Sequence, residues 1–303
     1  VRIIDAINPL SDTFKRALAG GITTVNVMPG SGHLMSGQTV YLKMREGKTI
    51  GDLTFCEDVT NGICGGMKMA NGTNPMKAAP FPGTRAKSAA MVRQLFLDAQ
   101  AYNKKIKAAK GKADKMPERK PNLEPLVEIL DGKRIVHFHT HRYDDVLTAL
   151  RLQKEFGFKL VLHHVSEAWK AADEIAKAGV PASIITLDSP GGKAEAVEVS
   201  NANGAALEKA GVLTAFHTDD GITDSRLFMR NVSLAVRAGM SPEKAIEGMT
   251  IAGAKMLELD NRVGSLEKGK DAELVLFDGD PFEYTSHVCA VVIDGKVVSE
   301  ECK

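Results

Sequence analysis

Apolar positions along this chain change their spacing repeatedly, and each change marks an element. From about residue 11, helix-like spacing alternates with short unbroken apolar runs. Ser11 stands where an N-cap belongs and Gly20-Gly21 follows the last periodic position, so the pattern predicts a helix through Ala19. The β-branched run at 22–27 predicts a strand, residues 30–37 read as loop, and 53–55 and 67–69 are weaker strands. Residues 86–110 predict a long helix. The Lys-rich stretch 113–121, with its two prolines, predicts a solvated excursion.

The second half is more regular. Strands are predicted at 134–138, 159–163, 182–187 and 212–216. Helices are predicted at 144–156, 167–178, 203–210 and 224–238, the first three followed by Gly157, Gly179 and Gly211. Ser241-Pro242-Glu243 opens one more, running to about Leu257. Strands and helices joined by short loops imply a parallel sheet with right-handed crossovers. These strands are apolar throughout, which suits burial on both faces. Repetition of the unit makes the expected fold α/β, a (β/α)8 TIM-like barrel over residues 1–262. Short strands at 271–277 and 290–298, with a hairpin turn at Ile293-Asp294-Gly295-Lys296, predict that the tail 263–303 forms part of a small β-sandwich.

Composition narrows the function. The chain has 303 residues, 44% apolar and 25% charged, with net charge +1. That is an ordinary globular balance and points to neither a nucleic-acid nor a membrane partner. No apolar run reaches the ~18 residues of a membrane span. The cysteines Cys56, Cys64, Cys289 and Cys302 show no CxxC pairing and read as free thiols, although a local Cys56–Cys64 bridge is conceivable.

The chemistry is sought at the C-terminal ends of the strands, where barrels carry their active sites. One predicted strand runs into His137-Phe138-His139-Thr140-His141, the next ends in His163-His164, and the last in His217-Thr218-Asp219-Asp220. A lone strand histidine is usually a hydrogen-bonded core residue. Histidines and an aspartate at three strand ends read instead as ligands for a divalent metal such as zinc, as one ion or two.

These residues resemble the amidohydrolase superfamily, in particular its imidazolonepropionase-like members. The likeness lies in His139-Thr140-His141-Arg142-Tyr143-Asp144-Asp145, in His164, in His217-Thr218-Asp219 and in the tail run from Gly264 to Val275. It implies that His139, His164 and Asp219 bind metal, with Asp219 also the general base. It implies that Lys68, in Gly66-Met67-Lys68-Met69-Ala70-Asn71-Gly72, is a carboxylated lysine bridging two ions. His141 and His217 are taken as substrate-binding or supporting groups. The implied activity is cleavage of a C–N bond in an amide, cyclic amide or dipeptide by metal-activated water. Alternatives are a mononuclear aminohydrolase, or a non-catalytic barrel acting as a binding module.

One feature departs from the family pattern. No His-x-His pair precedes Ile22, His33 stands alone after what reads as barrel strand two, and the first sandwich half is missing. An upstream segment carrying strand one and its ligands is therefore expected, because a barrel without it has unpaired edges; a degenerate, metal-poor member is the alternative. The expected partner is a small molecule; the oligomeric state is left open, a homo-oligomer being common in the superfamily it resembles. The compartment stays open between cytoplasm, taken first, and periplasm or secretion.

Overall fold

A computed structural model describes residues 1–186 and 193–302. Its strands are β1 (Thr24–Val27), β2 (Met35–Gln38), β3 (Val40–Lys43), β4 (Met67–Ala70), β5 (Val136–Thr140), β6 (Leu160–His164), β7 (Ala182–Ile184), β8 (Thr214–Phe216), β9 (Leu274–Phe277), β10 (Val288–Ile293) and β11 (Lys296–Glu300). The helices are α1 (Asp12–Ala19), α2 (Ile50–Leu53), α3 (Arg85–Ala109), α4 (Glu124–Leu130), α5 (Tyr143–Phe156), α6 (Ala168–Ala178), α7 (Asn203–Lys209), α8 (Phe228–Arg237), α9 (Pro242–Met249) and α10 (Ile251–Met256).

The main sheet has the order β2-β4-β5-β6-β7-β8. Pairing is parallel from β4 to β8, while β2 runs antiparallel to β4. Among the described residues this is a six-stranded, TIM-barrel-like arc with β2 and β8 at its edges, not a ring of eight. The run read as barrel strand two accounts for part of the difference. β1 pairs antiparallel with β3, Val25 opposite Leu42. Val25 then packs against Ala17, Met44, Val291 and Ile293, beside the three-stranded tail sheet β11-β10-β9.

Alternation divides the arc. Val136, Phe138, Leu160, Leu162, Ala182 and Ile184 join the large core with Phe96, Ile129, Val146, Ile175, Leu207 and Val232 of the surrounding helices. Phe96, fully buried, stacks on Phe156 and Phe158 at 4.9 and 5.2 Å between centroids. Each such side chain contributes roughly 1.5–3 kcal/mol by leaving water. The opposite face is polar in its upper layers. Register sets Ala70, His139, His163, Ser183 and Ala215 side by side, with Lys68 and His137 in the layer below. Ile135, Val161, Ala215, Ala252 and Met256 form an apolar plug in which α10 takes part.

Several boundaries depart from the sequence pattern for local reasons. Met35–Gln38 is a strand where a loop was expected, because its backbone pairs with β4. Residues 50–53 form a helix rather than contributing to a strand, since Thr49 and Asp52 make a capping box. The helix opened by Ser241 breaks at Thr250, at φ −126° and ψ −99°. Residues 113–120 are mostly exposed, as the excursion predicted. Position 187 of the predicted strand lies outside the described residues.

The cysteines overturn the free-thiol reading. Cys56 pairs with Cys64 and Cys289 with Cys302. Asp58 folds the first loop back by accepting from the Thr60 and Asn61 amides, both at 2.9 Å. The β10–β11 hairpin returns the chain so that Glu301 N–H reaches Cys289 O at 3.0 Å, which sets Cys302 beside Cys289. Sequence spacing carries no trace of that return. Among the described residues no helix is long and apolar enough to cross a membrane.

Candidate metal centre

β5 carries His137 and His139 and leads into His141, three positions that alternation turns to one side. β6 ends in His163-His164, and alternation alone would send these two rings to opposite faces. The strand end is curled instead, with φ +70° at His164 and +45° at Val165. A β-branched residue in that region costs roughly 1–3 kcal/mol. Val165 N–H is held there by Thr140 O at 2.9 Å and His163 O at 3.0 Å. The curl brings the His164 ring to 4.4 Å from His139 and 4.9 Å from His141, with His139 and His141 4.6 Å apart.

One ligand nitrogen from each of His139, His141 and His164 lies within 4.8 Å of the other two. Two ligands of one zinc ion stand roughly 3.3 Å apart at bond lengths of ~2.0–2.1 Å, so modest ring rotation closes the set. Each ring also has an anchor. His141 Nδ1 meets Ser166 Oγ at 2.7 Å, His139 Nε2 meets the Asn74 amide at 3.1 Å, and His164 Nδ1 meets His217 Nε2 at 3.3 Å. His139 Nδ1 and His141 Nε2 are buried with no hydrogen-bond partner. Leaving such an atom unsatisfied costs about 1–3 kcal/mol, and a cation removes that cost. Asn74 Nδ2 donates to the His139 Nε2 lone pair, which leaves the ring proton on Nδ1; turning the Asn74 amide so that its oxygen accepts from Nε2–H leaves Nδ1 its lone pair for a metal. The donor set therefore fits a divalent ion.

Electrostatics agree with that fit. Burial first, then positive neighbours, holds His139 and His164 well below the ordinary imidazole value. The same causes lower His141 to about 4 and His217 to about 3. All four rings are thus neutral at pH 7, the form that ligates metal. Burial lowers the Lys68 ammonium to about 8, against the opposing pull of Asp219.

Asp219 sits at the rim. Its Oδ2 is 4.0 Å from His164 Nε2, and its side chain is 49% exposed. Its φ of +50° belongs to a turn closed by Ile222 N–H on Asp219 O at 2.8 Å. His139 and His164 are thus brought together, Asp219 faces His164, and His141, expected as a supporting group, stands in the ring cluster itself. His217 lies behind His164, and Lys68 is buried one layer below His139.

Sequence reasoning missed several groups. Tyr41 Oη meets His137 Nε2 at 3.1 Å, and His137 Nδ1 meets His163 Nε2 at 3.0 Å, a buried chain beneath the cluster. Ser183, Ser166 and Asn74 anchor rings. For Ser183 the inward alternation of its strand was an available signal; for Asn74 and Ser166, both in loops, there was none.

Comparison with known proteins places the chain in a family. The Amidohydrolase family model matches residues 10–298, so the chain belongs to that family. It is similar to a solved amidohydrolase from Thermotoga maritima MSB8, at 33% identity and a TM-score of 0.91 over 99% of this chain and 78% of that one. It is 24% identical to amidohydrolase tasK of Hapsidospora irregularis, over 97% of this chain and 32% of that protein. It is 31% identical to the imidazolonepropionase of Shouchella clausii, over 42% of this chain and 30% of that protein. The chain thus spans about a third of the length of these two curated relatives.

Proposed function

We propose that this chain forms the metal-binding portion of a hydrolase that cleaves a C–N bond of a small-molecule amide, cyclic amide or dipeptide. The observation that carries the reading is the convergence of His139, His141 and His164 with buried nitrogens left free. His139 and His164 are the assigned ligands, with Asp219 beside them at the rim and His141 placed to complete the set. Three imidazoles and a carboxylate suit zinc. Lys68 is the candidate bridge to a second ion. The barrel is taken as a closed (β/α)8 ring of which the five parallel strands β4 to β8 are an arc.

When bound, a divalent ion supplies Lewis acidity and lowers the pKa of water toward ~7. The chain's own residues supply the rest. Asp219, half in solvent, takes the proton from water as it attacks the carbonyl carbon and delivers it to the nitrogen that leaves. The carbonyl π pair moves to oxygen, then returns as the C–N bond breaks. Buried neutral histidines keep the donor set constant across neutral pH.

A panel of N-acyl amino acids, dipeptides and cyclic ureides tests the reading, assayed before chelation, after it, and after zinc is restored. Turnover of at least one member that chelation abolishes and zinc restores is expected. Turnover indifferent to chelation, or none with any member, contradicts it. A mononuclear aminohydrolase is the second reading, favoured because the histidine cluster is complete without Lys68; ammonia release from an amidine ring would distinguish it.

A further inference from the structure

We infer that Ser183 and His217 are positioning residues that fix which nitrogen of His164 faces the metal. This rests on the metal-site reading above. His164 Nδ1 lies 3.3 Å from His217 Nε2, and His217 Nδ1 lies 2.9 Å from Ser183 Oγ. The three side chains come from β6, the segment after β8, and β7. They form one hydrogen-bonded line running away from the mouth, while His164 Nε2 points toward Asp219.

A neutral imidazole carries one proton and one lone pair, so each ring in this line has a direction. For His164 to offer Nε2 as a ligand, its Nδ1 must carry the proton and donate to His217 Nε2. His217 then carries its own proton on Nδ1, and Ser183 Oγ must accept it. The reverse direction puts a proton on His164 Nε2 and blocks ligation. Ser183 is thus an acceptor two hydrogen bonds from the metal.

The line is held from outside as well. Asn231, buried on α8, donates from Nδ2 to the His217 carbonyl at 2.9 Å. Its Oδ1 accepts from Thr186 N–H at 2.6 Å, which ties the segment after β8 to the end of β7. Ser183 is 5% exposed, so no bulk water competes for the His217 proton. Partners of this kind orient ligating histidines and commonly set metal affinity by about 10–100-fold.

Zinc affinity is measured by competition with a chromogenic chelator, alongside ¹⁵N NMR of the histidine rings. His164→Ala is the reference that reports whether this is a metal site. His217→Leu is expected to lower zinc affinity about 10–100-fold, and His217→Gln, whose amide oxygen can accept from His164, to recover most of that loss. Ser183→Ala is expected to lower affinity about two- to tenfold, the loss of one neutral hydrogen bond, with Ser183→Thr restoring it. In the zinc-loaded protein His217 is expected as the Nδ1–H tautomer. His217→Leu and Ser183→Ala with wild-type affinity, or His217 as the Nε2–H tautomer, overturns the inference. If His164→Ala also binds zinc normally, the metal-site reading falls with it. Circular dichroism of His217→Gln and Ser183→Thr separates misfolding from a lost partner.

Discussion

Thr140 lies opposite His164 in the parallel β5–β6 ladder, one residue past His139, and the left-handed turn at His164 converts that offset into ring contact with His139. The site thus depends on a backbone conformation as much as on residue identity. His164→Ala removes the ring but keeps the curl. Val165→Gly frees the strained φ but deletes a fully buried side chain of the main core. It is therefore expected to lower stability, the lost burial of about 1.5–3 kcal/mol and the cavity outweighing the relieved strain, and to weaken zinc binding because the fixed ring orientation relaxes. Denaturant titration and chelator competition on the two variants check both halves of that outcome.

Asp219→Asn keeps the shape of the side chain and removes its basicity. Turnover is expected to fall at least about 100-fold, the lower end of what a positioned acid–base group supplies. Far-UV circular dichroism is expected to be unchanged, because the side chain is half in solvent. Wild-type turnover in this variant would remove Asp219 from the reaction.

Gly66 lies against the buried His137. A Cβ there would stand 2.3 Å from His137 Cδ2 and 2.5 Å from the Ile135 carbonyl oxygen. Gly66→Ala is therefore expected to cost at least about 1–3 kcal/mol of stability, as overpacking does. Urea unfolding measures this directly, and an unchanged midpoint would show that the chain is looser here than described.

Lys43 is 1% exposed and meets Asp271 at 2.7 Å, Glu273 at 2.9 Å and Asp294. Burial alone would raise Asp271 and Asp294, but hydrogen bonds from Lys43, with Arg262 and Arg45 beside them, outweigh it and hold both below the usual carboxylate value. A carboxyl group with its folded pKa lowered stabilises the fold above the unfolded value of ~3.9 and loses that contribution as pH falls through the folded pKa. Stability is thus expected to fall steeply below about pH 4. Lys43→Met is expected to cost about 3 kcal/mol at pH 7, the low end for breaking a buried ion cluster, and to flatten the acid limb. Urea midpoints across pH 3–7 test both.

Much of the second half was legible in the sequence, because Gly157 and Gly179 end α5 and α6 and the strands between are unbroken apolar runs. The histidines could be found because they sit at strand ends. What could not be read was set by partners distant in the chain. β1 is a plausible barrel strand until its side chains pack on Val291 and Ile293 of the tail. Cys289 and Cys302 look unrelated until the β10–β11 hairpin returns the chain. His141 reads as a supporting residue until the curl at His164 turns a ring toward it.

Zinc content after exhaustive dialysis, measured by elemental analysis on the chain and on His139→Ala and His164→Ala, tests the account most directly. The expected result is about one tightly held ion per chain in the wild type, or about two where Lys68 bridges a second, lost in both variants while the fold persists. A wild-type chain that holds no zinc, cobalt or manganese, or variants that hold as much as the wild type, would contradict it.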